Sequence, residues 1–337
     1  EKSTRCGPFR ASCRFSTGTT DPSREGSSPR TYMSQTASMP RWPGDDAGPS
    51  LHLALGVFER PRARKMLMIG HRGASAVRPE NTLASFALAC DVADGFECDI
   101  QLLRDETLVV LHDDTLWRTA AWPRRPWLEA LWLSIRPVSG LDAADVSGAD
   151  VGAWFPGGKF AGTPLPSFDD ALDLAAQSHG TYCFTELKES GALNGALARQ
   201  AAAAVARQRD VDFDRFFWIS FSEDLLVDVR ARTPQIKALL VSHAEDEAAT
   251  FRTAERAHAA GLHGIDVRAS DGVTPALTQW LAARGMVCVV WASCAPAAND
   301  TAAMWRQMAD AGVWAFTSNL ANADVERASR FANVNSR

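Results

Sequence analysis

Two histidines and three carboxylates stand at or inside short apolar runs of this chain. His71 follows MLMIG, and His112 closes TLVVLH. Glu97 and Asp99 lie two apart in FECDIQLL, so a strand turns both to one face and Cys98 to the other. Glu186 and Lys188 repeat that spacing in TELK. Imidazole changes charge near neutral pH, which suits it to moving protons. Carboxylates from two strands could converge on a hard cation through oxygen ligands, because crowding them together unpaired is electrostatically costly. Each residue also has a plainer use. A lone strand-end histidine is more often a hydrogen-bonded structural group, and Glu97 and Asp99 could pair with the arginines that supply most of the 35 basic residues. With only five lysines in the chain, Lys188 in an apolar run stands out, although a lysine at a strand end can also snorkel to solvent.

The elements that must position these groups follow from the hydrophobic pattern. From Met66 onward, β-rich runs occur at MLMIG, FECDIQLL, TLVVLH, TYCFTEL, FFWISF, IKALLVS, LHGIDV, MVCVVWA and VWAFTS, mostly separated by Ala-rich helical stretches. That alternation predicts an α/β protein with a parallel sheet. FECDIQLL and TLVVLH are joined by too few residues for a parallel crossover, so they form a hairpin-like pair. The remaining steps predict a TIM (β/α)8 barrel over 66–325, with an insertion at approximately 114–180. A doubly wound open sheet is the alternative, but no G-x-G-x-x-G marks a cofactor turn. In a barrel, the C-terminal ends of strands face the active-site mouth, and both His71 and His112 are placed at strand ends.

HRG with PENT, E-C-D, V-V-L-H-D, L-x-R-T at Leu116–Thr119, and E-L-K occur in this order from Met66 onward. Together they resemble the glycerophosphodiester phosphodiesterase family. The resemblance implies a metal-dependent TIM barrel with His71 and His112 as general acid and base. It also implies one divalent cation, Mg2+ or Ca2+, on Glu97, Asp99 and Glu186, with Arg72 and Lys188 holding the substrate phosphate. Such a set fits a stable anionic diester, whose hydrolysis needs neutralised oxygens, an activated nucleophile and a protonated leaving group. The implied reaction releases glycerol 3-phosphate and an alcohol from a small-molecule glycerophosphodiester. The alternatives are a relative acting on lysophospholipids or another phosphodiester, and a non-catalytic phosphate-binding barrel.

Around this set, PENT reads mainly as a helix start, with Glu80 as a supporting partner of Arg72. Asp113 in the turn-like DDT supports His112 or caps a helix. Trp291 walls the substrate pocket or packs as a buried aromatic. Ser220 and Ser222 end a strand, but no G-x-S-x-G turn makes either a nucleophile. The family usually continues the strand tryptophan with T-V-N and ends on T-D. This chain has Ala292-Ser293-Cys294 and Thr317-Ser318-Asn319, so the pocket wall that meets the alcohol group differs.

Composition bounds the rest. Residues 1–65 hold eleven Lys/Arg against six Asp/Glu, so the remainder carries about ten excess negative charges, and no nucleic-acid partner is expected. That first segment lacks hydrophobic period and is read as a disordered or non-native extension, with 326–337 as a C-terminal tail. Its acidic residues and prolines spoil a transit helix, and no transmembrane segment is present. Seven scattered cysteines, without C-x-x-C, suggest free thiols and a cytoplasmic location. Trp117, Trp122, Trp127, Trp132 and Trp154 lie in or beside the insertion. They are read as packing a small subdomain; if exposed, they point to peripheral lipid contact.

Overall fold

The structure is a computed structural model that describes residues 66–293 and 298–320. The N-terminal extension, the C-terminal tail and Cys294 lie outside the described residues. Nine strands are present among them: β1 Leu67–Gly70, β2 Gly95–Leu102, β3 Leu108–Val110, β4 Tyr182–Leu187, β5 Phe216–Ser220, β6 Lys237–Ser242, β7 Gly264–Arg268, β8 Val287–Trp291 and β9 Ala315–Ser318. The helices are α1 Leu83–Val92, α2 Trp127–Ile135, α3 Ala143–Val146, α4 Phe168–Gln177, α5 Asn194–Arg207, α6 Glu223–Arg232, α7 Glu247–Ala259, α8 Pro275–Ala282 and α9 Ala302–Asp310.

Eight parallel strands close into a barrel, because β1 pairs with β2 on one side (Ile69 opposite Gly95) and with β9 on the other (Ile69 opposite Thr317). β3 lies outside the ring, antiparallel to β2, with Ile100 opposite Val110. The helices start where short polar side chains cap their first turn: Thr82, Ser167, Ser222, Asp246, Thr274 and Thr301 each accept a backbone N–H at α1, α4, α6, α7, α8 and α9.

Strand alternation divides the side chains into two layers. Ile69, Phe184, Phe217, Ile219, Leu239, Val241, Val289 and Ala315 fill the barrel, where Phe184 stacks on Phe217 at 4.8 Å. The intervening residues, such as Cys98, Trp218, Ile265 and Phe316, face the helices. These interior rings plug the barrel and leave polar residues near its C-terminal rim.

The long interval between β3 and β4 contains two different parts. Leu116, Trp122, Leu133, Val138, Leu141, Val146 and Ala149 build a separate core with Leu103, Val109 and Leu111 of the β2–β3 hairpin. α4 does not belong to it: Phe168, Ala171 and Leu172 pack with the barrel's helical layer. The insertion expected to extend to about 180 therefore ends before α4, whose apolar face is buried against the barrel rather than in the subdomain. Of the five tryptophans expected to pack that subdomain, Trp122 does so, donating Nε1–H to Ser134 Oγ at 2.8 Å. Trp117, Trp127, Trp132 and Trp154 are exposed.

Candidate active site

His71 sits directly after β1, and the turn that follows it is tightly constrained. Arg72 adopts a left-handed backbone with φ 56°. Gly73 follows at φ 80°, where an added Cβ would lie 2.4 Å from Ser85 Oγ. This turn aims the Arg72 backbone N–H at Glu97 Oε2, 2.7 Å away, so the HRG segment is fastened to β2 through a carboxylate.

On β2, Cys98 packs outward with the helical layer, which turns Glu97 and Asp99 inward. Asp99 lies opposite Glu186 in the parallel register of β4. As a result, one carboxylate oxygen from each of Glu97, Asp99 and Glu186 falls within 4.8 Å of the others. Burial, with Asp99 and Glu186 adding repulsion, pushes the Glu97 carboxyl well above its ordinary range. Burial would also raise Asp99, but His112, Lys188 and Arg72 outweigh it and hold that carboxyl below its usual range. Asp99 Oδ1 is buried without a hydrogen-bond partner and lies 3.5 Å from Lys188 Nζ. An all-oxygen donor set this crowded fits a hard divalent cation.

The cationic side chains surround this cluster. Lys188 Nζ is 2.8 Å from Glu186 Oε1, so it turns into the site rather than out to solvent. Arg72 Nη1 donates to Glu80 Oε1 at 2.8 Å, and its Nε lies 3.6 Å from Asp99 Oδ2. Glu80 also receives two bonds of 2.7 Å from Arg118. Burial would raise the Glu80 carboxyl, but Arg72 and Arg118 outweigh it and bring it down to about 2. PENT therefore divides its work. Thr82 caps α1, whereas Glu80 binds the two arginines and Asn81 donates to Asp99 Oδ2 at 2.7 Å.

His112 reaches the site by a route different from the one expected. It is not at the C-terminal end of a barrel strand, because β3 runs antiparallel to β2 and returns the chain toward Asp99, whose carbonyl accepts the Leu111 N–H at 2.9 Å. Asp113 Oδ1 lies 2.7 Å from His112 Nδ1, and Arg118 Nε holds the other Asp113 oxygen at 2.6 Å.

His71 has a neutral partner instead. Its Nδ1 lies 3.3 Å from Asn319 Oδ1. The Asn319 Nδ2 donates to Asp300 Oδ2 at 2.9 Å and to Ser293 O at 2.8 Å. Both of those atoms only accept, which fixes the amide orientation and makes Asn319 Oδ1 an acceptor toward His71 Nδ1–H. Burial, reinforced by Arg72, pushes the His71 imidazole down to about 3.

The opposite side of the mouth is aromatic. Phe221 stacks on His243 at 4.7 Å, and His243 meets the Trp291 ring edge-on at 5.3 Å. Trp291 Nε1 and Thr317 Oγ1, on paired positions of β8 and β9, are buried without hydrogen-bond partners. Asp266 of β7 is inward and buried as well, and burial followed by Glu186 raises its carboxyl well above the usual range. The serines are structural: Ser220 Oγ donates to Leu187 O at 2.8 Å, and Ser222 caps α6.

Arg118, Asp300, His243 and Asp266 are site residues that the sequence left without a role, while Asn81 was read only as part of a helix start and Asn319 only as part of an altered pocket wall. Arg118 lies inside the L-x-R-T motif, and Asp266 is a lone acid in the apolar LHGIDV run. Both signals were visible in the sequence, whereas the pairing of Asn319 with His71 spans 248 positions and had no local sign.

Comparison with other proteins bears on the family and the fold. The sequence pattern of the Glycerophosphoryl diester phosphodiesterase family matches residues 71–321. The probable glycerophosphodiester phosphodiesterase 1 of Mycobacterium tuberculosis is 32% identical over 185 residues, covering 52% of this chain and 63% of that protein. A glycerophosphodiester phosphodiesterase of Caldanaerobacter subterraneus is 31% identical over 175 residues, covering 51% of this chain and 65% of that one. In both cases the aligned stretch spans less than two thirds of the relative. The structure of an Oleispira antarctica phosphodiesterase in complex with sn-glycerol-3-phosphate superposes with a TM-score of 0.64 at 21% identity, covering 78% of this chain and 96% of the other, which speaks for the shared fold. On the family match across most of the barrel, this chain belongs to the glycerophosphoryl diester phosphodiesterase family.

Proposed function

We propose that the chain hydrolyses glycerophosphodiesters to glycerol 3-phosphate and an alcohol. The observation that carries this reading is the meeting, at one barrel mouth, of a three-carboxylate cluster with two histidines that have chemically different partners. Family membership and the product bound to the Oleispira phosphodiesterase support it.

Glu97, Asp99 and Glu186 would hold one divalent cation, Mg2+ or Ca2+. When bound, such an ion neutralises charge on the phosphoryl oxygens and makes a bound hydroxyl more acidic. Arg72 and Lys188 add positive charge at the same place, and Glu80 and Asn81 keep Arg72 and Asp99 in position.

The two histidines take opposite roles because of their partners. With its Nδ1 proton directed at Asn319, neutral His71 presents a free lone pair on Nε2 and acts as the base. It accepts the proton of the attacking hydroxyl, from the neighbouring glycerol hydroxyl or from water. His112, held through Nδ1 by Asp113, acts as the acid, giving its proton to the departing alcohol oxygen as the P–O bond breaks. If the glycerol hydroxyl attacks first, water then enters with the two roles reversed, which restores both protonation states. Trp291, beside His243, walls the side that meets the alcohol.

Four described cysteines, Cys90, Cys98, Cys183 and Cys288, are free thiols, which supports a reducing compartment such as the cytoplasm. No helix among the described residues is long and apolar enough to cross a membrane. The exposed face of α2 favours a second reading of the substrate, a lysophospholipid taken from a lipid surface.

The test is release of glycerol 3-phosphate from glycerophosphocholine with Mg2+, Ca2+ or chelator, beside His71→Ala and Glu97→Ala. We expect metal-dependent turnover that falls by about 10²–10⁴-fold in His71→Ala and is lost in Glu97→Ala. A folded, metal-supplied protein that cleaves no phosphodiester would leave only a phosphate-binding barrel.

A further inference from the structure

α2 is apolar on two opposite sides. Leu133 packs into the subdomain core with Ala130 against it. Trp127, Leu128, Leu131, Trp132 and Ile135 form a second stripe at helical spacing that is 73%, 62%, 39%, 47% and 55% exposed, respectively. A helix apolar on both sides ordinarily has a partner on both, and a contiguous exposed patch of this kind marks an interaction surface.

The charges at the ends of the stripe favour one kind of partner. Arg124 is exposed just before the helix, and Arg136, just after it, lays its guanidinium over the Trp132 ring at 4.3 Å. The helix's own acid, Glu129, is paired with Arg125. Tryptophan rings rimmed by arginines suit the head-group zone of a lipid surface, where rings sit between chains and water and guanidinium groups meet phosphates. A two-fold pairing with a second copy is less suitable, because antiparallel α2 helices would bring Arg124 against Arg136 of the other copy. The helix is also tied to the barrel mouth: the Val138 N–H donates to Asp114 O at 2.9 Å and Thr115 bridges to Pro137, close in sequence to His112 and Asp113.

The geometry points to the α2 face as a docking surface for an anionic lipid layer, seated through Trp127, Leu128, Leu131, Trp132 and Ile135, with Arg124 and Arg136 on lipid phosphates. From that position the mouth would draw its diester from the lipid surface. This last clause rests on the phosphodiesterase reading; the docking itself does not.

The test is co-sedimentation of the full chain with vesicles of phosphatidylcholine containing phosphatidylglycerol and with vesicles of phosphatidylcholine alone. The double variant Trp127→Ser/Trp132→Ser and the single variant Arg124→Glu are measured beside it. The full chain should sediment with the anionic vesicles, about tenfold more weakly in the double variant, and more weakly in Arg124→Glu or at high salt. Because the substituted side chains are exposed, the melting midpoint should move by no more than about 2 °C. Hydrolysis of soluble glycerophosphocholine should be unchanged in the double variant, while hydrolysis of micellar lysophospholipid falls. Failure to bind either vesicle would overturn the docking proposal. So would a homodimer in sedimentation velocity that the double variant converts to monomer. Binding that the double variant loses, with no diester cleaved by the unsubstituted chain, would leave docking standing and remove the phosphodiesterase reading.

Discussion

His71 and His112 are the same side chain in two electrostatic settings, one facing an amide and the other a carboxylate. Asn319 is the residue that makes the difference for His71. Asn319→Ala should free the imidazole to rotate and exchange tautomers, lowering kcat by about 10–100-fold with little change in KM. Asn319→Asp should instead place a negative charge beside Nδ1, raise the His71 pKa and move the acid limb of the kcat/KM profile to higher pH, a shift that loss of packing alone would not produce. Glu80 permits a test of stability. Its carboxyl ionises at about 2 in the fold against 4.5 ordinarily. A depressed folded value means its contribution is complete above pH 4.5 and is lost as the pH falls toward 2. Glu80→Gln should therefore cost about 3 kcal/mol at neutral pH, and melting curves of the two proteins should converge across that acid window. Glu80 and Asn81 were legible as helix-start residues from type and position. Their contacts with Arg72, Arg118 and Asp99 were not, because those partners arrive from other segments.

At the level of elements, the hairpin β2–β3 does more than supply an extra strand. By doubling back, it returns His112 to the level of Asp99 and offers its outer surface to the subdomain core. The short link between the two runs made the antiparallel pairing readable, but placing His112 at a barrel strand end followed from treating all strand ends alike. The subdomain is held by Trp122, buried and bonded to Ser134. Trp122→Ala should destabilise by about 3–5 kcal/mol in denaturant unfolding and should loosen α2 before the barrel, seen as faster amide exchange over 127–135. Hydrophobic pattern alone did not separate Trp122 from Trp127 and Trp132, since burial depends on what faces each side of a helix.

For the whole molecule, closure of eight strands puts carboxylates from β2 and β4 at one end of a plugged barrel, where their repulsion works against the fold unless a cation joins them. A bound ion at 100 times its Kd should add about 2.7 kcal/mol to stability. Chelation should lower the melting temperature as well as activity, and Glu97→Ala should abolish the metal-dependent rise. Adding excess Mg2+ or Ca2+ after chelation should restore both in the unsubstituted protein.

Sequence by itself determined the order and type of the nine strands, the placing of Glu97 and Asp99 on one strand face opposite Cys98, and the motifs that carry the family. These depend on period-two alternation and on residues close together in the chain. Tertiary structure alone decided which oxygen faces which nitrogen: Asn319 on His71, Arg118 on both Glu80 and Asp113, Asp266 beneath the mouth, and the exposed stripe of α2. Each of these depends on the register and closure of distant segments, and so on the energy of the assembled molecule rather than on local propensity.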